Sequence, residues 1–296
     1  METGAIPIDE LAGGLDPYLT LESGQSYRWR RSDGEMYGGE RNPDAWYETV
    51  VDGEVIRTRA RDGVLEWEST TDADTLLGRL LRLDDDLEAI AADAPADPLI
   101  RDAYEAHRGM RLVEDPPFAT LIAFICSAQM RVRRIHRMVD ALAREYGTAV
   151  EFDGRTSHDF PTPDRLAGAT EADLRDLGLG YRAPYVLETA RMVADGEAHP
   201  ADARELDYEP AREYLTRFVG VGDKVADCVL LFSLGFDEAV PLDTWIRKAI
   251  AEYYPECDRG SYAATSRAIR ERFGGAYAGY HQTYVFHFMR TGISDV

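Results

Sequence analysis

Two side chains in this sequence have types and settings suited to covalent chemistry. Lys224 closes the run Gly220-Val221-Gly222-Asp223-Lys224 and begins a helix expected over Lys224–Phe232. In the first turn of a helix the macrodipole disfavours a cation by roughly 0.3–1 kcal/mol. The chain uses lysine only at Lys224 and Lys248 and arginine for every other cation. A residue type otherwise avoided therefore occupies a poor structural position. The same field, with partial burial, favours the neutral amine, which is a nucleophile. Arginine could not serve, because a guanidinium stays protonated. The alternative is a surface lysine without a chemical role.

Asp243 follows after Val240-Pro241-Leu242, ahead of a helix expected over Thr244–Tyr254. Aspartate at that point is a favoured N-cap, and a capping carboxylate can also face a cleft. One helix and one loop separate the two residues, so the chain can return Asp243 to the side of Lys224. There it could steady developing positive charge and shuttle a proton. Gly220 and Gly222 form a tight turn between the segment Ala211–Phe218 and the Lys224 helix. Such a turn leaves backbone N–H groups open to a phosphate oxygen. Carbonyls turned the other way, at Thr216, Phe218 and Val221, could hold a monovalent cation, K+ or Na+. An ordinary helix–helix turn would look the same.

The elements around these residues change character along the chain. Residues 20–70 read as antiparallel strands, with Asp33-Gly34, Asp52-Gly53 and Asp62-Gly63 as hairpin dipeptides between β-rich runs. From Ala73 the spacing becomes helical, with a stripe of Leu76, Leu77, Leu80 and Leu81, then Leu99–His107. Pro116-Pro117 opens a helix, and another covers Val132–Tyr146. After a loop over Asp153–Pro163 the rest reads as helical, broken at glycine-rich points. The fold class is α+β: residues 1–114 form a small antiparallel-sheet domain with a few helices, and residues 115–296 a larger helical domain.

Composition narrows the setting. Acidic residues number 54 against 33 basic ones, for a net charge of −21. Nucleic-acid binders usually carry a basic stripe, so composition alone fits an acidic protein that never meets DNA. A surface rich in Asp and Glu and poor in Lys also suits a salt-rich cytosol, where the Debye length falls to roughly 3 Å and counterion release contributes little to DNA binding. Contacts would then rest on hydrogen bonds, stacking and a bound cation. Apolar runs such as Val225–Leu234 are short and contain Asp227, so no membrane span is expected. Met1–Asp9 lacks a secretory pattern. Cys126, Cys228 and Cys257 are far apart and match no disulfide, zinc or iron–sulfur spacing. A prokaryotic cytoplasmic location follows.

Gly220-Val221-Gly222-Asp223-Lys224-Val225-Ala226-Asp227-Cys228, followed by Val240-Pro241-Leu242-Asp243, resembles the signature of the helix–hairpin–helix DNA glycosylases. More narrowly, it resembles the 8-oxoguanine branch. Ser23-Gly24-Gln25-Ser26-Tyr27-Arg28-Trp29, Phe124-Ile125-Cys126-Ser127, Gly178-Leu179-Gly180-Tyr181-Arg182-Ala183 and Tyr277-Ala278-Gly279 extend the likeness over nearly the whole chain. The resemblance implies a monomeric enzyme that flips an oxidised purine out of duplex DNA, cuts its glycosidic bond and nicks the abasic strand. It needs no cofactor. Lys224 is then the Schiff-base nucleophile and Asp243 the assisting carboxylate. Gly24 matches the residue whose carbonyl accepts the N7–H of 8-oxoguanine. Gln282 holds the base edge, and Phe286 and Cys228 pack its two faces. Tyr181 matches the wedge, Arg182 and Arg134 the contacts to the orphaned cytosine, and Gln129 belongs to the plug of the vacated space. Without the resemblance, Phe286 suits a core, Cys228 a buried apolar position, Gly24 a turn and Gln282 an exposed surface.

Departures from the family pattern bear on specificity. Gln129-Met130-Arg131 replaces three asparagines, Val219 a hairpin proline, Trp245 a DNA-touching histidine and Met289 an acidic pocket residue. Two rival readings remain. A monofunctional glycosylase for alkylated purines would keep the aspartate but lack the lysine. A non-catalytic helix–hairpin–helix DNA-binding module would need the hairpin alone. The iron–sulfur branch of the superfamily has a four-cysteine loop that is absent here.

Overall fold

The computed structural model describes residues 1–38 and 40–292. The chain begins with β1 (Glu2–Pro7), α1 (Pro17–Glu22), β2 (Arg30–Arg31), β3 (Tyr47–Val51), β4 (Glu54–Arg61) and β5 (Val64–Ser69). The five strands form one antiparallel sheet in the order β1-β5-β4-β3-β2. Val51 pairs with Glu54 across Asp52-Gly53, and Arg61 with Val64 across Asp62-Gly63. Both turns have positive φ at their two central residues (55° and 81°, 50° and 80°). That geometry is the reason for Asp-Gly in each.

Helices follow: α2 (Asp74–Leu80), α3 (Leu87–Asp93), α4 (Pro98–Ala106), α5 (Pro117–Cys126) and α6 (Val132–Tyr146). A hairpin of β6 (Ala149–Phe152) and β7 (Arg155–His158) precedes α7 (Pro163–Ala167), α8 (Glu171–Asp176), α9 (Ala183–Ala194) and α10 (Tyr208–Leu215). The chain then runs through α11 (Asp223–Ser233), α12 (Thr244–Tyr253), α13 (Tyr262–Arg272) and α14 (Ala278–Gly292). The architecture is α+β, as the sequence implies.

Three local readings need correction. Residues 20–22 belong to α1, capped by Asp16, rather than to the sheet. Glu2–Pro7 forms a sheet strand, where the sequence reading gave no structure. Gly4 faces Trp67 there, and a Cβ would meet the indole at 2.4–2.7 Å, so close packing explains a glycine in a strand. The expected loop over Asp153–Pro163 begins inside the β6–β7 hairpin, whose turn is another Asp-Gly pair with positive φ.

One hydrophobic cluster runs from Trp29 and Trp67 through Phe124 to Phe273 and Tyr284, crossing residues 114/115 without a break. The last helix packs back on the first half. Tyr284 stacks on Tyr104 of α4 at 3.9 Å, and Arg290 donates to the carbonyl of Glu22 at 2.9 Å. A strap over residues 110–115 ties the loop of Gly24 to α11. Gln25 donates to the Arg111 carbonyl and accepts from Val113 N–H, at 2.9 and 3.2 Å. Ser26 donates to the Asp115 carboxyl, and Asp115 N–H bonds the Phe232 carbonyl of α11 at 3.0 Å.

The strap is anchored by Arg111, which is fully buried. Its guanidinium donates to the carbonyls of Ala12, Gly14, Arg82, Leu83 and Asp85 at 2.8–3.2 Å. Arg111→Met keeps most of the volume but strips the Gly14, Leu83 and Asp85 carbonyls of their donor, while those of Ala12 and Arg82 keep the N–H groups of Leu87 and Asp85. At about 1–3 kcal/mol for each group left unsatisfied, a loss of about 3 kcal/mol or more is expected as a lower midpoint of denaturant unfolding. An unchanged midpoint would show that water replaces the guanidinium.

Candidate active site

Helix α11 starts where Gly222 ends the turn. Gly220 has φ +82°, and a Cβ there would lie 2.8 Å from Tyr185, so both the backbone conformation and the packing require glycine. Gly222 is exposed with open space beside it and is the N-cap of α11. The amide end of α11 therefore faces solvent at the rim of a cleft of about 1190 Å³. Lys224 sits in the first turn, half-buried, as the sequence reading required. Its Nζ lies 3.4 Å from Ser127 Oγ and 5.3 Å from the centre of the Phe124 ring.

Asp243 occupies the same cleft as Lys224. It is the N-cap of α12, and one carboxylate oxygen accepts Ile246 N–H at 2.8 Å. The capping and cleft-facing roles thus coexist. Burial raises its carboxyl above the ordinary carboxylate range, while the Ile246 N–H and the Lys224 charge pull it down.

The four residues assigned to a base pocket also line this cleft. Gly24 has φ +98°, and a Cβ would come within 3.1 Å of an Arg290 nitrogen. Gln282 is only 4% exposed, and its amide oxygen has no hydrogen-bond partner among the described residues. An acceptor left this way in a cleft wall is costly unless something binds it. The expectation of an exposed Gln282, drawn without the family likeness, is therefore wrong. Phe286, four residues along α14, is half-buried and presents part of its ring to the cleft. Cys228 is buried one turn after Lys224. Burial pushes its thiol up to about 11 against the pull of Lys224, so it offers a neutral, polarisable surface.

Gln129 lines the cleft in the left-handed region, φ +54°, a strained conformation costing about 1–3 kcal/mol for a residue with a side chain. Arg134, Tyr181 and Arg182 are not among the described lining residues. Arg134 is exposed on α6, and Tyr181 is 48% exposed. Arg182 is 2% exposed, stacked on Tyr181 at 4.3 Å and donating to the Ala128 carbonyl beside Gln129. In this state it is held by protein and not presented to a partner. The Phe218 carbonyl of the suggested cation trio already accepts Val221 N–H at 3.1 Å, while Thr216 and Val221 flank the same turn.

Residues missed in the sequence complete the site. Arg290 lines the cleft, its guanidinium 5.4 Å from the Phe286 ring centre. Met289, aligned with the family's acidic pocket residue, is instead buried in the core. Spacing held the signal, since residues 282, 286 and 290 share a helix face. Ser127 ends the run Phe124-Ile125-Cys126-Ser127, which by itself suggests no role for it. Tyr262, from α13, had no local signal at all.

Residues 6–121 match the model described as 8-oxoguanine DNA glycosylase, N-terminal domain, and residues 122–274 match the model described as HhH-GPD superfamily base excision DNA repair protein. A probable N-glycosylase/DNA lyase of Methanothermobacter thermautotrophicus is 37% identical over 212 residues, 64% of this chain and 67% of that one. The N-glycosylase/DNA lyase of Saccharomyces cerevisiae is 33% identical over 260 residues, 79% and 67% of the two chains. The 8-oxoguanine glycosylase/lyase of Clostridium acetobutylicum, solved with duplex DNA containing cytosine opposite 8-oxoguanine, superposes with a TM-score of 0.83. It covers 94% of this chain and 93% of its own at 26% identity.

The raised Asp243 carboxyl has a stability consequence. Its folded value lies above its unfolded one, so the folded state holds the proton more tightly and is penalised once both states are ionised. The penalty is absent below the ordinary aspartate value, 3.8, and grows as pH rises through the raised value. Asp243→Asn keeps the cap and removes the charge. Its Tm should exceed the parent's at neutral pH, and the gap should close as pH falls toward 4. A lower Tm for the variant at pH 7 would contradict this.

Proposed function

The chain belongs to the HhH-GPD superfamily of base excision DNA repair proteins, and we propose that it excises 8-oxoguanine from duplex DNA as a bifunctional N-glycosylase and AP lyase. The observation that carries this reading is a half-buried lysine and a capping aspartate in one cleft, beside the Gln282 amide oxygen, which has no hydrogen-bond partner among the described residues. A monofunctional glycosylase or a binding module has no use for Lys224 at that place.

The damaged nucleotide would leave the stack and enter the cleft, with Phe286 and Cys228 on its faces, Gln282 on its edge and the Gly24 carbonyl toward N7–H. Guanine, which has a lone pair at N7, would leave that carbonyl unpaired, at a cost of ~1–3 kcal/mol. The neutral amine of Lys224 attacks C1′ as the C1′–N9 bond breaks. The departing electron pair goes to N9 of the base, which takes up the proton that the Lys224 nitrogen loses, carried across by Asp243. Asp243 stabilises the positive charge that grows on the sugar and carries protons between steps. Loss of a proton from nitrogen and opening of the sugar give a Schiff base. Removal of a C2′ proton then expels the 3′ phosphate.

The remaining assignments concern DNA. Gly220 and Gly222 would set backbone N–H groups on a phosphate. The carbonyls of Thr216, Phe218 and Val221 would hold K+ or Na+, which supplies positive charge between hairpin and phosphate. Tyr181 would wedge the duplex and Gln129 fill the vacated space. Arg134 and Arg182 would meet the opposite base, Arg182 after releasing the Ala128 carbonyl. The protein would act as a monomer in a salt-rich prokaryotic cytosol. No helix among the described residues is long and apolar enough to cross a membrane.

Single-turnover assays in molar KCl on duplexes carrying 8-oxoguanine, an alkylated purine or guanine, each opposite all four bases, test the reading. Release of 8-oxoguanine with guanine untouched is expected. Lys224→Gln should abolish release, and Asp243→Asn should slow it by more than about tenfold, or 1.4 kcal/mol, with DNA affinity little changed. Release of the alkylated purine alone would favour the monofunctional reading. Equal rates for Asp243→Asn and the parent would leave Asp243 as a cap and nothing more.

A further inference from the structure

From the wall of the cleft, where Tyr262 stands, a polar chain runs back into the core that the chemistry above does not use. Asp227, three residues after Lys224 on α11, is fully buried. Its two oxygens accept the hydroxyls of Tyr208 and Tyr262, each at 2.7 Å. Arg212 lies 3.9 Å from the carboxylate and 3.3 Å from Tyr208 Oη and Ser266 Oγ. Tyr262 Oη in turn accepts Leu242 N–H at 3.0 Å. The Leu242 carbonyl accepts Arg247 Nε at 3.2 Å. The residue immediately before Asp243 is thus held at both of its backbone polar groups.

These bonds run without a gap from the helix of Lys224, through Asp227 and Tyr262, to the peptide that precedes Asp243. The backbone N–H polarises the phenol, and the phenol donates to the carboxylate, so the bonds reinforce one another. Keeping a carboxyl here is expensive. Burial pushes it up to about 7 even though Tyr262, Arg212 and Tyr208 pull it down. Apolar packing could fill such a site at equal or better stability. What apolar packing could not do is fix one loop against one helix by directed bonds.

We propose that Asp227 and Tyr262 are positioning residues that set the Asp243 carboxylate relative to the Lys224 amine. The inference rests on the catalytic roles given to those two residues. Asp243 sits on the segment 234–243 between α11 and α12. Its own cap bond to Ile246 fixes it to α12; the segment is tied to α11 at its start by Phe236 N–H to the Leu230 carbonyl at 3.1 Å, and the Tyr262 bridge adds a tie at its end, next to Asp243. A displacement of about 1 Å at a reacting pair can reduce rate about 10²-fold.

Tyr262→Phe removes one hydroxyl and keeps the ring. On an 8-oxoguanine duplex the variant should release base about tenfold or more slowly, with a Kd for uncleaved DNA within about twofold of the parent. The discriminating measurement is the double variant. Placed in an Asp243→Asn background, Tyr262→Phe should cause no further slowing, because its effect passes through Asp243. Asp227→Asn, which retains the Tyr262–Leu242 bond, provides a second route and should show the same rate-only defect and the same dependence on Asp243. Parent-like rates in both variants, or a slowing that multiplies with that of Asp243→Asn, would overturn the proposal. An inactive parent would instead overturn the catalytic reading on which it rests.

Discussion

An aspartate that caps a helix while facing a cleft has its carboxylate committed twice. Ile246 N–H fixes one oxygen, and burial works against the charge that the proposed chemistry requires. The charge of Lys224, from another helix, offsets part of that penalty. Such an opposed pair is useful only if its members stay at a set separation, and neither lies in an element that fixes the other. The fold meets this constraint with buried polar bonds. The Arg111 strap joins the Gly24 loop to α11, Asp227 and Tyr262 join α11 to the Leu242 peptide, and Arg290 joins α14 to α1.

The acidity of the chain and its proposed work on DNA are reconciled by where the cations stand. Arg131, Arg133, Arg134 and Arg137 gather at the start of α6, and Arg131 and Arg133 line the cleft. Arg133 is paired with Glu35 at 3.1 Å, an exposed contact that adds little to stability and yields readily to a phosphate. Arg182 shows the reverse arrangement. It is buried, stacked and hydrogen-bonded beside the strained Gln129, so its use requires a rearrangement of residues 128–129. The three asparagines of the family are replaced in this segment. Gln129, the proposed plug, and the arginine that bonds the carbonyl beside it are therefore one structural unit.

The sequence made Lys224 and Asp243 legible because each is a local anomaly or a local rule: a rare lysine at an unfavourable helix start, and an aspartate at a favoured cap. The Asp-Gly hairpins of the sheet were legible for the same reason. The hairpin at Asp153-Gly154 carried the identical signal, but its strands are four residues each and one reads Arg-Thr-Ser-His, which hides a strand. Glu2–Pro7 was hidden by Gly4, whose reason is Trp67 on a distant strand. Gln282, Phe286, Cys228 and Gly24 were assigned through resemblance, since their types alone suit core, surface or turn. Asp227 and Tyr262 meet across 35 positions, and no periodicity encodes such a pairing. Burial of Arg182 and Met289 likewise arises only from tertiary packing, whereas the place of Arg290 was legible in its spacing from Gln282 and Phe286.

The central chemical claim is a covalent bond between Lys224 and the sugar. Borohydride reduction during reaction with an 8-oxoguanine duplex, followed by proteolysis and mass mapping of any cross-linked peptide, tests it directly. The expected result is a stable adduct on Lys224 that disappears in Lys224→Gln. Base release by the parent with no trapped adduct, or an adduct mapped to another residue, would contradict it.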